Sequence, residues 1–295
     1  MATTREIVKR RRSIANIRKI TKTMEMIATA KFRKALLRAV GSRLYTEKIA
    51  ALVSLFPAGS VESVHPLLEK NTESNQVVLL VLTSNRGLCG GYNGNIIRMA
   101  NHQFKLLTDR EIGIDLRVFG KKGISTLRFA GYEMSHTYTE FDDKLTFAQV
   151  EELADELIDL YCHKQIDGVR IVFTRFLSSA RHYADVLNLL PVGGPAQPET
   201  AAEEKPAVNV EDYLFSPSAE EIFRELIPVT VKTELFQCFK DAGASEQVAR
   251  MRAMKSATDN ARQMIQALTR QYNRARQSQI TGELLDILGG AEALR

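Results

Sequence analysis

Cysteines, long apolar runs and paired metal ligands are all scarce in this chain, and each scarcity excludes something. The 295 residues include three cysteines, Cys89, Cys162 and Cys238, spaced 73 and 76 residues apart. An odd number so widely separated writes neither a disulfide framework nor a CxxC metal site, and it fits a reducing, cytosol-facing compartment. The longest purely aliphatic run is Val77 to Leu82, six residues, far short of the roughly 20 that a membrane-spanning helix needs. The five histidines, His65, His102, His136, His163 and His182, show neither HxxxH nor HxH spacing, so no metal centre is indicated. Between Thr4 and Leu55 there is no proline and a single glycine, Gly41, so nothing there interrupts a helix.

What is present is ordinary in bulk and uneven in detail. Hydrophobic residues make up 44% and charged residues 25%, as in soluble proteins generally. The length allows one large domain, or one compact domain plus an elongated element. The net charge of +5 conceals +11 on residues 1–45 and +3 on 246–295, which leaves −9 on 46–245. Basic ends on an acidic body point to an acidic partner: nucleic acid, anionic lipid, or a protein surface rich in Asp and Glu. The opening MATTREIVKRRR is basic like a targeting peptide, but it contains Glu6 and lacks an apolar core, so it reads as mature sequence.

Periodicity supplies the architecture. Ile7, Ile14, Ile17, Ile20, Met24 and Ile27 recur at helical intervals, with Ala28, Ala30 and Ala35 following, which predicts one long helix. Near the other end Met251, Met254, Thr258, Ala261, Ile265, Leu268, Tyr272, Ala275 and Gln279 alternate spacings of three and four, a heptad seam. Small residues on both segments allow close approach, and an intramolecular antiparallel coiled coil is the natural pairing. At 1.5 Å per residue the two helices would run roughly 75 and 65 Å, against a radius of gyration of about 19 Å for a compact chain of this length. The sequence therefore predicts a rod with a head.

Between the helices, Val77–Thr83, Ile114–Phe119 and Val169–Phe173 are short apolar runs flanked by helix-like segments, with Tyr183–Leu190 as a further strand. The alternation predicts a small parallel α/β sheet, Rossmann-like in layout. Thr146 with Gln149, and Ser218 with Glu221 after Pro217, mark helix starts by capping-box spacing. The expected division is an N-terminal shaft helix over 1–56, an α/β head over 75–190, a proline-rich flexible loop over 191–210, and a C-terminal shaft helix over 211–295 paired with the first.

Candidate chemistry is sparse. The RGLCGGYNG turn, residues 86–94, stands where a strand passes into a helix, where free amides attract anions. Its glycines match neither GxGxxG nor GxxxxGK[ST], so a tight turn and a subunit contact stand beside the phosphate-loop reading. Cys89 has no histidine near it in sequence, as a thiol nucleophile would require. The acidic clusters at Glu140, Asp142 and Asp143 and at Glu151 and Glu152 read as solvated faces. Lys9, Arg10, Arg11 and Arg12, with Arg18, Lys19 and Lys22, could neutralise phosphates, line a solvated face, or dock on an acidic protein; aromatics interleave poorly for nucleic-acid binding.

Three separated segments resemble one family. ITKTMEMIATAK (20–31), RGLCGGYN (86–93), and MKSATDNA (254–261) followed by YNRARQSQITGEL (272–284) are similar to the gamma subunits of F-type rotary ATP synthases, over about Arg5 to Ala293. Departures are Asn16-Ile17-Arg18 where members commonly have Asn-Thr-Gln, Gly94 after Asn93, and the long 191–210 stretch. The resemblance implies a non-catalytic central-stalk subunit without cofactor or metal, one copy per complex. Its partners would be the alpha and beta subunits of the catalytic hexamer, the epsilon subunit and the membrane ring of c subunits, with no nucleic acid and no membrane-spanning segment. It further implies a peripheral place on the cytoplasmic face of a bacterial plasma membrane. Carried over by position, Met24, Arg250, Arg276, Gln277, Thr281 and Glu283 would contact the surrounding subunits or serve coupling, and Leu284, Leu285, Ile287 and Leu288 would form an apolar tip. Met24 could equally be a core residue of the coiled coil. A nucleotide-using α/β enzyme and a nucleic-acid-binding coiled coil remain the competing readings of the residues themselves.

Overall fold

The computed structural model of the chain describes residues 4–54, 65–140, 145–192 and 219–293. In chain order these form α1 (Thr4–Ser54), β1 (Gln76–Leu82), α2 (Tyr92–Thr108), β2 (Gly113–Phe119), α3 (Lys121–Phe129), β3 (His136–Tyr138), α4 (Phe147–Cys162), β4 (Gly168–Phe176), β5 (His182–Leu190) and α5 (Ala219–Ala293). They divide into two compact units, residues 1–30 with 250–295, and residues 31–249. Past Val192 the proline-rich loop lies outside the described residues, as do Ser218, Asp142 and Asp143.

In the larger unit the sheet order is β3-β2-β1-β4-β5. β1 runs parallel to β2, pairing Val77 with Ile114 through Leu82 with Phe119, and parallel to β4, pairing Val77 with Gly168 through Val81 with Val172. Val78, Leu79, Leu80 and Val81 are all fully buried because helices cover both faces, which is why the strand reads as an unbroken apolar run without alternation. On one face Val78, Leu80 and Leu82 pack with Val150 and Leu157 of α4 and with Ile227, Val231 and Leu235 of α5. On the other, Leu79 and Val81 pack with Ile96 and Ala100 of α2 and Leu127 of α3. The start of α4 is as its sequence indicates: the Thr146 N–H donates to Gln149 Oε1 at 3.1 Å.

Two features depart from the sequence reading. β5 pairs antiparallel to β4, Phe176 opposite His182 through Val169 opposite Leu190, so the sheet is mixed. Only residues 177–181 separate the strands, whereas a parallel return needs a crossover of a dozen or more residues. The acidic run at the start of α4 is also more than a solvated face, because Lys232 of α5 donates to Glu151 at 3.0 Å and Asp155 at 2.8 Å.

Within the smaller unit α1 and α5 pair antiparallel. The Thr4 hydroxyl donates to Gln279 Oε1 at 3.4 Å, the Arg11 guanidinium lies 5.5 Å over the Tyr272 ring, and Thr258 Oγ1 donates to Thr21 Oγ1 at 2.9 Å. As residue numbers rise on one helix they fall on the other. The seam expected on α5 is used as far as Ala275: Met254, Thr258 and Ala261 are buried, Met251, Ile265, Leu268, Tyr272 and Ala275 are half-buried, and Gln279 is exposed. The chain is thus an α/β fold in which an antiparallel pair of terminal helices accompanies a small Rossmann-like sheet domain.

α5 also carries a half-buried carboxyl. Glu234 sits where burial pushes its proton affinity up, opposed by the charge of Arg175, whose guanidinium donates to Asp185 instead. A carboxyl with a raised folded-state pKa stabilises most below the unfolded value of about 4.5 and loses that contribution as pH rises through the folded one. Glu234→Gln should therefore raise the thermal midpoint at pH 7, with the difference closing as pH falls below 4.5, in melts recorded across that range.

Candidate coupling surface on the paired terminal helices

α1 carries two apolar stripes, and the structure uses one of them. Ile7, Thr21 and Ala28 are buried against α5, with Arg11, Ile14 and Glu25 half-buried between them. These positions keep a seven-residue repeat. Ile17, Ile20, Met24 and Ile27 fall outside the seam, with 49, 58, 37 and 53% of their surface exposed. The six residues expected as one stripe are therefore split: Ile7 and Ile14 face α5, and the other four lie about 100° around the helix, one residue's rotation away. Met24 is an outward-facing residue and not part of the coiled-coil core.

Charge follows the same partition. Lys9, Arg10, Arg12, Arg18, Lys19 and Lys22 are exposed, whereas Arg11 turns inward over Tyr272, where its alkyl stem packs and its cation meets the ring face. Lys22 pairs with Glu25 at 3.0 Å. A groove of about 360 Å³ opens between the helices, with Ile14, Met264 and Leu268 in it and Arg10, Ser13 and Gln271 around it. The outer face thus offers an apolar stripe flanked by cations, suited to a surface that supplies both apolar contact and acidic groups.

The residues carried over onto α5 fall into three environments. Arg250 is half-buried at the start of the paired segment. Arg276, Gln277, Thr281 and Glu283 are exposed, and Glu283 accepts from Gln279 Nε2 at 2.9 Å. Leu284, Leu285, Ile287 and Leu288 are exposed by 53, 61, 72 and 57%, beyond the level at which Thr4 meets Gln279. They make no use of their apolar surface within the described residues. Replacing all four with glutamine should move the chain's thermal midpoint by no more than about 4–8 °C, since exposed substitutions of this kind rarely exceed about 0.5 kcal/mol each.

The sheet domain offers a second place to look, outside the C-terminal ends of β1 and β4, where strand order reverses and α/β folds bind ligands. That crevice is filled by α5. The Tyr92 hydroxyl donates to the Ala242 carbonyl at 3.2 Å, and Phe239 meets Phe119 edge-on at 5.0 Å. About 90 Å³ remains, bordered by Thr83, Asn85, Leu145, Gly243 and Glu246. In the adjoining turn Asn93 accepts from the Ser84 N–H at 3.0 Å and donates to Ser84 Oγ at 2.8 Å and to Cys89 Sγ at 3.3 Å. Leu88 and Gly90 take left-handed backbone conformations, so the glycine-rich segment is a tight turn closed by its own side chains. Cys89 is buried inside it. The N-terminal amides of α3 are engaged likewise: those of Lys121, Lys122 and Gly123 donate to Asn85 Oδ1, the Ser84 carbonyl and Thr83 Oγ1.

Sequence reasoning missed the Thr21–Thr258 contact and the Arg11–Tyr272 stack. Extending the heptad from Ile7 and Ile14 leads directly to Thr21 and Ala28, a signal masked by the larger Ile17, Ile20, Met24 and Ile27 beside it.

The comparisons with known proteins agree with one another. The model of the family described as ATP synthase matches residues 3–294. An ATP synthase gamma chain of Rhodopirellula baltica is 44% identical over 294 residues, covering 100% of this chain and 99% of that one. One from Heliobacterium modesticaldum is 38% identical, covering 98% of each. The fold is shared with a chain in the cryo-EM structure of Euglena gracilis mitochondrial ATP synthase, OSCP/F1/c-ring, at a TM-score of 0.64 and 18% identity, covering 99% of this chain and 94% of that one. A chain of the Tetrahymena thermophila mitochondrial central stalk and c-ring matches at a TM-score of 0.54 and 21% identity, covering 81% of this chain and 99% of that one. With its full length matched by the family model and by gamma chains this similar, the chain belongs to the ATP synthase gamma-chain family.

Proposed function

We propose that this chain is the central shaft of a rotary ATP synthase, a mechanical subunit that turns inside a hexamer of alternating alpha and beta subunits. The observation that carries the reading is the outer face of α1. There the apolar residues Ile17, Ile20, Met24 and Ile27 stand exposed among Lys19, Lys22 and Arg18 on a helix whose seam is already satisfied by α5. Such a face gains by contact with an acidic, partly apolar surround, and its position on a helix pair lets rotation of that pair present different faces to each surrounding subunit in turn.

In this reading the chemistry lies on the alpha and beta subunits, and this chain contributes shape and charge. Arg250, Arg276, Gln277, Thr281 and Glu283 contact the hexamer, and Leu284, Leu285, Ile287 and Leu288 turn in an apolar sleeve at its end. The sheet domain, whose ligand crevice is filled by Phe239, Ala242 and Gly243, serves as a docking body for the epsilon subunit and the c ring. Among the described residues no helix is long and apolar enough to cross a membrane. In this reading the chain lies peripherally, on the cytoplasmic face of a bacterial plasma membrane.

Assembly of the purified chain with alpha and beta subunits tests this. One copy should enter each hexamer, and Met24→Lys should leave assembly and ATP hydrolysis largely intact while reducing ion pumping per ATP several-fold, because a new cation on the outer face alters the contact made during rotation. A chain that stays apart from the hexamer, or that binds nucleotide saturably by itself, would overturn the proposal.

A further inference from the structure

We propose that the Thr21–Thr258 hydroxyl pair sets the rotational register of α1 against α5, and thereby decides which stripe of α1 faces outward. The problem this pair solves is visible in the residues. The seam of α1 runs through Thr21, Glu25 and Ala28, while the positions one residue earlier are Ile20, Met24 and Ile27, with Ile17 continuing the line. Over residues 17–28 apolar burial alone favours turning α1 by about 100°, which would hide Ile17, Ile20, Met24 and Ile27 while turning Ile7 and Ile14 out of the seam.

In the observed register the two buried hydroxyls share a cross-helix hydrogen bond that the alternative would break. Thr258, 7% exposed, donates to Thr21, 8% exposed, at 2.9 Å. Thr21 in turn donates to the Arg18 carbonyl at 3.1 Å, and Thr258 Oγ1 lies 2.8 Å from the Met254 carbonyl. Turning α1 would leave the Thr258 hydroxyl facing isoleucine or methionine across the seam, with only the Met254 carbonyl of its own helix to donate to. A buried polar side chain at a seam position is the best-attested device for fixing register between helices, and it does so at some cost in stability. Nearby Ala28 and Ala261, 1 and 4% exposed, let the backbones come close enough for the short hydroxyls to meet; larger side chains in the seam would hold them apart. Thr21 and Thr258 are therefore positioning residues: covered within the seam, they hold Ile20 and Met24 on the outer face.

The consequence for coupling rests on the shaft reading, but the register itself can be measured without it. In the full chain with the exposed Cys162 replaced by serine, one cysteine is placed at Ile20 or at Glu25, whose side chains are outward-facing and largely covered, respectively. Thiol labelling rates are then compared. With both threonines present, I20C should react at least ten-fold faster than E25C. With Thr21→Val and Thr258→Val together, the order should invert while far-UV circular dichroism shows the helices retained, and Thr21→Ser with Thr258→Ser should restore the original order. If the double valine variant loses helicity, the single change Thr258→Ala decides the question by the same pair of labels. Unchanged labelling order in a helical variant lacking the hydroxyl pair would overturn the inference, whatever the outcome of assembly with the hexamer.

Discussion

Gly120→Ala should destabilise the sheet domain by roughly 2–5 kcal/mol, seen as a lower urea midpoint by circular dichroism. Gly120 has φ +94°, and a Cβ there would stand 2.3 Å from the Thr83 carbonyl oxygen. With ψ 134° the residue lies outside the left-handed helical well, in sparsely populated backbone space that costs an L-residue about 1–3 kcal/mol, and overpacking adds about 1–3 kcal/mol. The backbone cannot readily yield. The Thr83 N–H donates to the Phe119 carbonyl at 2.8 Å, Thr83 Oγ1 donates to the same carbonyl at 2.7 Å, and the Gly120 N–H donates to the Tyr138 carbonyl at 2.9 Å. Moving Gly120 away from Thr83 therefore disturbs β1, β2 and β3 together. A glycine in open space gives the contrast: nothing lies within 4 Å of a Cβ at Gly282, which is inside α5. Gly282→Ala should favour the helix by about 0.5–1 kcal/mol. A destabilisation under about 1 kcal/mol for Gly120→Ala would show that the turn between β2 and α3 is looser than described.

Leu235→Ala should cost about 2–5 kcal/mol, the range for deleting a fully buried leucine whose surroundings relax only in part. Leu235 is 0% exposed and belongs to the cluster formed by β1, β4, α4 and α5. Its neighbours on α5, Ile227, Val231, Cys238 and Ala242, follow the same three-and-four spacing. The prediction therefore tests whether this stretch of α5 is part of the sheet domain's core. An effect comparable to an exposed substitution, below about 0.5 kcal/mol, would mean that α5 merely lies near the sheet. Because Leu235 is remote in sequence from Thr258 and the 276–288 segment, the loss should appear in unfolding curves and not as a selective loss of coupling.

That stripe also shows where sequence reading stops. From Met251 onward α5 declares itself by an unbroken heptad. Upstream, Pro228 stands inside the helix and reads locally as a breaker, so the buried stripe at Ile227, Val231 and Leu235 went unremarked. β1, β2 and β4 are legible because strands buried on both faces must be apolar throughout. β3, three residues from His136 to Tyr138, has no run to detect and is held by pairing with β2. The direction of β5 was available from the five-residue connection before it, which is too short for a parallel crossover. On α1, helix formation was plain from composition, but the choice between two adjacent stripes was not. Hydrophobic periodicity favours the larger side chains, and the structure buries the smaller ones, where hydroxyls and backbones can meet.

The central claim, that the chain turns within a hexamer, is tested most directly by watching it turn. Cys162 is exposed while Cys89 and Cys238 are buried, so a probe can be attached to the full chain at one native position. With the alpha–beta hexamer immobilised and ATP supplied, the account predicts that the probe rotates in one direction, in steps that keep pace with hydrolysis. A probe that stays fixed while the same complexes hydrolyse ATP would contradict it.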